Sequence, residues 1–106
     1  MPAKHVSIDE FLQERKKNKK SVVIDVRNEE RFKDGHIPGA INLNKATVAE
    51  EIASVVSDKN TEIFCHCGGG ESGAKAADEL AQLGYKNAKV IDGGWRMYKA
   101  RTEKDK

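Results

Sequence analysis

The sequence is poor in cysteine, nearly balanced in charge and without a long apolar run, and each shortage excludes a class of protein. Its 106 residues include two cysteines, Cys65 and Cys67, too few for a disulfide framework and too close to make a good structural bridge. We therefore expect a reducing compartment, the cytoplasm. The 19 basic and 17 acidic residues leave a net charge of +2, so no nucleic-acid partner is expected. Neither a membrane span nor the h-region of a signal peptide is predicted.

Short β-branched segments alternate with amphipathic segments along the chain. Strands are predicted at 4–6, 21–26, 40–43, 61–66 and 88–91. Helices are predicted after them: one capped by Ser7 and Glu10, a short helix or turn at 29–33, one capped by Thr47 and Glu50, one at 72–83 ending at Gly84, and one at 95–100. The alternation predicts one α/β domain over 1–106, a three-layer α/β/α sandwich on a mostly parallel five-stranded sheet. A charged tail at about 101–106 is expected to fray.

Cys67 stands between the fourth predicted strand and the helix at 72–83, and Gly68, Gly69 and Gly70 follow it directly. Glycines adopt positive φ readily, so successive amides of this loop can turn towards one anion. The helix behind the loop adds unpaired amides and the positive end of its dipole. Both effects favour the thiolate, which is the nucleophilic form of cysteine. Ligands bind at the carboxyl ends of parallel strands, where Cys67 falls, so we predict that Cys67 is a nucleophile.

Of the two residues before Cys67, Cys65 has two possible roles and His66 has one. Cys65 faces the same side of the strand, as a core residue or, alternatively, as a resolving thiol that closes on Cys67. His66 faces the other side and is expected to be structural. Metal binding by these three residues is not predicted, because adjacent strand residues cannot all face one ion.

Three motifs, in this order, resemble the rhodanese (thiosulfate sulfurtransferase) family. They are Val-Ile-Asp-Val-Arg at 23–27 followed by Gly-His-Ile-Pro-Gly-Ala-Ile-Asn at 35–42, then the cysteine loop ending in Ala-Lys-Ala-Ala at 74–77, then Leu-Gly-Tyr at 83–85 with Val-Ile-Asp-Gly-Gly-Trp at 90–95. Together they span nearly the whole chain, whose length resembles that of a stand-alone member. The resemblance implies that the loop cysteine takes sulfane sulfur from a donor, forms a persulfide and passes the sulfur to a nucleophile. Alignment of the motifs places Cys67, rather than Cys65, at this position.

The loop departs from the family pattern at its end. Its sixth position, often arginine in the family, is Ser72, which is expected to cap the helix, to donate a hydrogen bond to the terminal sulfur, or both. Glu71 adds a carboxylate, which should oppose a dianion such as thiosulfate and favour a polysulfide or persulfide donor. Lys75 and Arg96 would lie near the cavity in the family's geometry, and they are the two cations nominated to compensate.

Other residues are expected to support the site. Asp25 and Arg27, at the end of the second strand, should form a structural ion pair that braces the loop, with a catalytic role as the alternative. His36 is expected to be a hydrogen-bonding scaffold before the Pro38-Gly39 turn, and Trp95 a core residue at the cavity rim.

Two functions from different classes follow. The leading hypothesis is a sulfurtransferase that moves sulfur from thiosulfate, a polysulfide or a persulfide to cyanide or a thiol through a Cys67 persulfide, with no metal or cofactor. The alternative is a non-catalytic or weakly catalytic carrier or interaction module that exchanges sulfur with a protein donor or acceptor. Phosphatase chemistry is disfavoured because the loop has no arginine to clamp an oxyanion.

Overall fold

The structure is a computed structural model that describes residues 3–68 and 71–104. Strands and helices alternate strictly, as the sequence pattern predicts. In chain order they are β1 Lys4–Val6, α1 Ile8–Lys17, β2 Val22–Asp25, α2 Glu29–Asp34, β3 Ile41–Asn42, α3 Val48–Val55, β4 Ile63–His66, α4 Ser72–Gln82, β5 Ala88–Ile91 and α5 Gly94–Lys104.

The five strands form one sheet in the order β1-β5-β4-β2-β3. Every pairing among the described strands is parallel, so the sheet is more regular than the mostly parallel one predicted. β4 is the central strand and β2 is its neighbour, with Asp25 in register with His66. Parallel strands bring their carboxyl ends to one edge, so the residues that follow β2 and β4 meet there.

Two apolar clusters, one on each face of the sheet, make the three layers. One face packs against α3 and α4, through residues such as Ile52 and Leu80. The other packs against α1 and α5, where the rings of Phe11 and Phe64 meet edge to face with centroids 4.9 Å apart. The strand β2 contributes to both clusters and is buried almost throughout, as its continuous β-branched run predicts.

Several local signals form the structure that the sequence predicts. Ser7 and Glu10 make the capping box at the start of α1: Ser7 Oγ accepts the Glu10 amide at 3.1 Å. The Pro38-Gly39 turn is closed by the Ala40 amide, which donates to the Ile37 carbonyl at 3.0 Å, and Gly39 takes a φ of 83°. Gly84 follows α4 with a φ of 102°.

Two predictions about helix ends were wrong. Thr47 does precede α3, but its side chain caps no amide, because its hydroxyl bonds instead to the Glu51 carboxylate one turn ahead. The predicted frayed tail from 101 is helical through Lys104. It is held because Arg101 Nε donates to Asp9 Oδ1 of α1 at 3.1 Å; residues 105 and 106 lie outside the described residues.

The helices of the described residues are too short and too polar for any of them to cross a bilayer.

Candidate active site

A cavity of about 350 Å³ opens at the carboxyl edge of the sheet, between the ends of β2 and β4. Loop residues after β2, β3 and β4 line it together with the first turns of α2, α4 and α5. The lining residues are Val26, Arg27, Asn28, Arg31, Asn44, Lys45, Cys67, Gly68, Ser72 and Arg96. Of the predicted site residues, Cys67, Gly68, Ser72, Arg27 and Arg96 therefore meet around one opening.

Cys67 directly follows β4 and is 8% exposed, so its side chain is packed in the core but reaches the cavity wall. Its carbonyl accepts the Trp95 amide at 2.9 Å, which ties the start of the loop to α5. No disulfide joins it to Cys65. This placement, at the end of the central strand and on the wall of a concave opening, is where an incoming donor can reach the sulfur.

Gly73 sets how closely α4 approaches Cys67. A Cβ built at this position would lie 3.0 Å from His66 Cα and 3.3 Å from the Cys67 nitrogen, in both cases backbone atoms that cannot move aside. Glycine therefore lets the first turn of α4 lie directly against the end of β4. The sequence analysis did not single out Gly73, although an isolated glycine inside a predicted helix indicates close packing at that position.

The loop between Cys67 and α4 agrees only in part with the expectation. Gly69 and Gly70 lie outside the described residues, so the predicted amide nest stays a prediction. Glu71 occupies the cap position with helical backbone angles, φ −91° and ψ −8°, and is exposed. Ser72 lines the cavity and is the first residue of α4, so the N-cap position falls to Glu71. The predicted capping role of Ser72 was therefore wrong.

Asp25 and Arg27 form the structural ion pair that the sequence predicts. Arg27 Nη2 donates to Asp25 Oδ2 at 2.7 Å, and Arg27 Nε lies 3.0 and 3.1 Å from the two carboxylate oxygens. Both side chains are buried, at 8% and 0% exposure. Arg27 Nη2 also donates to the Gly35 carbonyl at 2.7 Å, and the guanidinium lies 5.8 Å from the Trp95 ring centroid. Arg27 is therefore a neutralised wall of the cavity.

Three other cations face the opening, and none of them forms an ion pair with the described residues: Arg31 of α2, Lys45 after β3, and Arg96 of α5. Arg31 lies beside the start of the loop, with Nη1 4.0 Å from the position of a Cβ built on Gly68. Lys45 is held by its own amide, which donates to the Val26 carbonyl at 3.1 Å. The cavity therefore presents uncompensated positive charge.

The sequence analysis named a different set of cations. Arg96 lies where it was expected, but Lys75 is exposed on α4 and is not among the described residues that line the cavity. Arg31 and Lys45 were missed. Arg31 could have been found from its place on the short helix that leaves the carboxyl end of β2 beside Cys67, because that helix must start at the same edge of the sheet.

Cys65 and His36 behave as core and scaffold residues. Cys65 is fully buried, and burial raises the pKa of its thiol to about 12, which opposes the resolving-thiol alternative. His36 Nδ1 donates to the Phe32 carbonyl at 2.7 Å, and the two rings stack with centroids 3.8 Å apart. Trp95 is partly buried and packs against the second apolar cluster, but it is not among the described residues that line the cavity, so its place at the cavity rim stays a prediction.

Comparison with known proteins gives a consistent result. Residues 7–101 match the family model described as "Rhodanese-like domain". The chain is 36% identical over 70 residues to thiosulfate sulfurtransferase PspE of Escherichia coli, covering 66% of this chain and 67% of that protein. It is 32% identical to thiosulfate sulfurtransferase GlpE of Shewanella oneidensis, covering 90% and 91%. A solved E. coli structure titled "rhodanese with anions" matches at 34% identity with a TM-score of 0.68, covering 73% and 89%.

Proposed function

Because this chain belongs to the family of rhodanese-like domains, we propose that it is a sulfurtransferase in which Cys67 carries sulfane sulfur from an anionic donor to a thiophilic acceptor. The observation that carries the proposal is the joint placement, on the wall of one cavity, of Cys67 and three cations that form no ion pair with any residue in 3–68 or 71–104. A cysteine at a strand end supplies the nucleophile, and the cations favour an anionic donor. The relatives named thiosulfate sulfurtransferase support thiosulfate as that donor.

The chemistry balances without an added oxidant or reductant. The Cys67 thiolate attacks the outer sulfur of thiosulfate, a sulfur–sulfur bond forms as another breaks, and sulfite leaves with the electron pair. Cyanide then attacks the outer sulfur of the Cys67 persulfide and leaves as thiocyanate, which restores the thiolate. Charge at the cavity wall stabilises the sulfite leaving group in the first step, as electrostatic catalysis requires.

The charge of the cavity changes the donor preference drawn from the loop alone. A preference for a less charged donor rested on Glu71 and on Ser72 in place of arginine. Arg31, Lys45 and Arg96 now offset that single carboxylate, which is exposed and not among the described lining residues. Thiosulfate is thus the donor we favour, with polysulfides and persulfides also accepted. A reducing compartment suits this chemistry, because Cys67 must be a thiol before it accepts sulfur.

Mass spectrometry of the intact chain after incubation with thiosulfate tests the assignment. We expect one added sulfur atom, located on Cys67, which cyanide removes as thiocyanate. Cys67→Ser should take up none, whereas the matched variant Cys65→Ser should take up as much as the wild type, because Cys65 is sealed in the core. Uptake by Cys67→Ser, or full turnover without it, refutes the proposal.

A carrier or interaction module is the second candidate, and Ser72 in place of a loop arginine favours it. Turnover rates separate the two. A carrier would pass sulfur quickly between protein persulfides and turn over slowly with thiosulfate and cyanide, whereas a thiosulfate sulfurtransferase would show fast turnover with these small substrates.

A further inference from the structure

His66, the last residue of β4, is fully buried and directly precedes Cys67, and its two ring nitrogens differ in their contacts. Its Nδ1 lies 3.1 Å from the Cys67 carbonyl oxygen. Its Nε2 is buried and finds no hydrogen-bond partner within the described part of the chain. A buried polar atom without a partner destabilises the folded state, so the presence of an imidazole at this position calls for an explanation.

The tautomer of His66 follows from these contacts. A carbonyl oxygen only accepts, so Nδ1 carries the proton and donates it to Cys67. Nε2 then presents a lone pair towards Asp25 Oδ2, 3.8 Å away. Asp25 is already engaged by Arg27, and His36 adds a further nearby charge when protonated. Burial lowers the pKa of His66, an effect that the attraction of Asp25 only partly opposes, so the ring is neutral at neutral pH.

The contact fixes the first peptide of the loop. The Cys67 carbonyl receives two donors, His66 Nδ1 at 3.1 Å and the Trp95 amide at 2.9 Å. In a planar trans peptide the Gly68 N–H points opposite to that carbonyl. His66 and Cys67 leave opposite faces of the strand. A carbonyl held on the His66 face therefore directs the Gly68 N–H towards the face on which the sulfur lies.

We propose that His66 is a positioning residue for sulfur transfer: its Nδ1–H holds the Cys67 carbonyl and so aims the Gly68 amide at the Cys67 sulfur. This inference rests on the proposed function. Without that donor, the Cys67 carbonyl loses one of the two hydrogen bonds named above, and the peptide can rotate more freely. The loss should then appear in the rate of persulfide formation rather than in donor binding, because the donor is held by the cavity cations.

Asparagine and leucine make a matched pair of variants at His66. They have nearly the same shape, and both remove the unpartnered Nε2, but the asparagine amide can occupy the place of Nδ1–H while leucine cannot donate. We would measure kcat and KM with thiosulfate and cyanide. His66→Asn should stay within about threefold of the wild type in kcat, and His66→Leu should lose about tenfold or more with little change in KM, the size expected for one lost hydrogen bond.

The outcomes separate this inference from the function it rests on. A wild-type chain that takes up no sulfur refutes the proposed function. Wild-type activity with equal losses in both variants, or with none, refutes only the role of His66. Long-range proton–nitrogen NMR on the wild-type chain gives an answer even where the leucine variant fails to fold. A protonated Nδ1 with a bare Nε2 is expected, and the opposite tautomer overturns the proposal.

Discussion

The two ends of the sheet treat positive charge in opposite ways. Towards the amino ends of the strands, Lys89 of β5 lies between two carboxylates, 2.8 Å from Glu62 and 3.2 Å from Glu14. At the carboxyl edge, Arg31, Lys45 and Arg96 face a cavity with no ion-pair partner among the described residues. The difference indicates that a cation paired with carboxylates of the chain, such as Lys89, stabilises the fold. A cation beside Cys67 that forms no ion pair with the described residues is available to bind an anionic ligand.

Arg27 belongs to the paired class although it lies at the cavity. Its guanidinium forms a bidentate ion pair with Asp25 and donates to the Gly35 carbonyl, so its charge is neutralised within the chain. The carboxyl edge therefore contains a scaffold, the Asp25–Arg27 ion pair, and a binding surface, formed by Arg31, Lys45 and Arg96. Substitutions can disrupt the scaffold and the binding surface separately.

Breaking the scaffold should have the largest effect. Asp25→Asn leaves the Arg27 charge buried without its counter-ion, and we expect a loss of about 3–5 kcal/mol in the free energy of unfolding, measured by urea denaturation. Glu29→Gln, which breaks the exposed Glu29–Lys33 pair, is the matched control and should change it by less than about 0.5 kcal/mol. Equal losses in both variants would contradict the scaffold assignment.

Removing an unpaired cation should change catalysis and leave stability nearly unaltered. Arg31→Ala should lower kcat/KM for thiosulfate by roughly 10- to 100-fold, as expected for a lost charge-assisted hydrogen bond, with the melting temperature unchanged. Arg31→Lys should recover part of the loss. Lys33→Ala, on the same helix but already paired with Glu29, should match the wild type; a similar fall in that variant would contradict a specific role for Arg31.

Salt should sharpen the same comparison more gently. The cavity cations are exposed, so raising the ionic strength from about 0.05 to 0.5 M should raise KM for thiosulfate several-fold through screening. The unfolding free energy attributed to the buried Asp25–Arg27 pair should hardly change. A KM that ignores salt would argue against an electrostatic site.

The paired cation at the other end gives the smallest effect and a pH dependence. Burial acts to lower the pKa of Lys89, but its hydrogen bonds to Glu62 and Glu14 outweigh burial and raise it. A pKa raised in the folded state adds stability below the ordinary lysine pKa, and this contribution is lost as pH rises through the folded pKa. Glu62→Gln should therefore cost about 1 kcal/mol at pH 8. The difference from the wild type should shrink in alkaline solution, as followed by urea denaturation, and a constant difference would contradict this account.

Most of the fold was predictable because its signals are local. The β-branched run at 22–24, the capping box of Ser7 and Glu10, and the glycines at 39 and 84 each act on their own neighbourhood, and each forms as predicted. The predictions of two helix ends were wrong because another side chain made a contact that the local pattern does not indicate. Glu51 took the Thr47 hydroxyl, and a contact with α1 extended the last helix beyond its predicted end.

The site was predictable only as far as it follows the chain. The place of Cys67 at the cavity could be predicted from its position between a strand, a glycine loop and a helix, because those elements are adjacent in sequence. Arg31 and Lys45 could not be found in the same way, because they reach the cavity from other strand ends. Lys75 was expected near the cavity from the geometry that the family resemblance implies, yet it is exposed and is not among the described residues that line the cavity.

The sequence by itself determined the alternation of strands and helices and the family of the chain, and it predicts Cys67 as the nucleophile, because these depend on periodicity and on contiguous motifs. Only the tertiary structure decided which charges meet that nucleophile, which are already neutralised and which ring holds its carbonyl. The physical reason is that a parallel sheet gathers distant strand ends at one edge, and no local pattern records which side chains will face one another there.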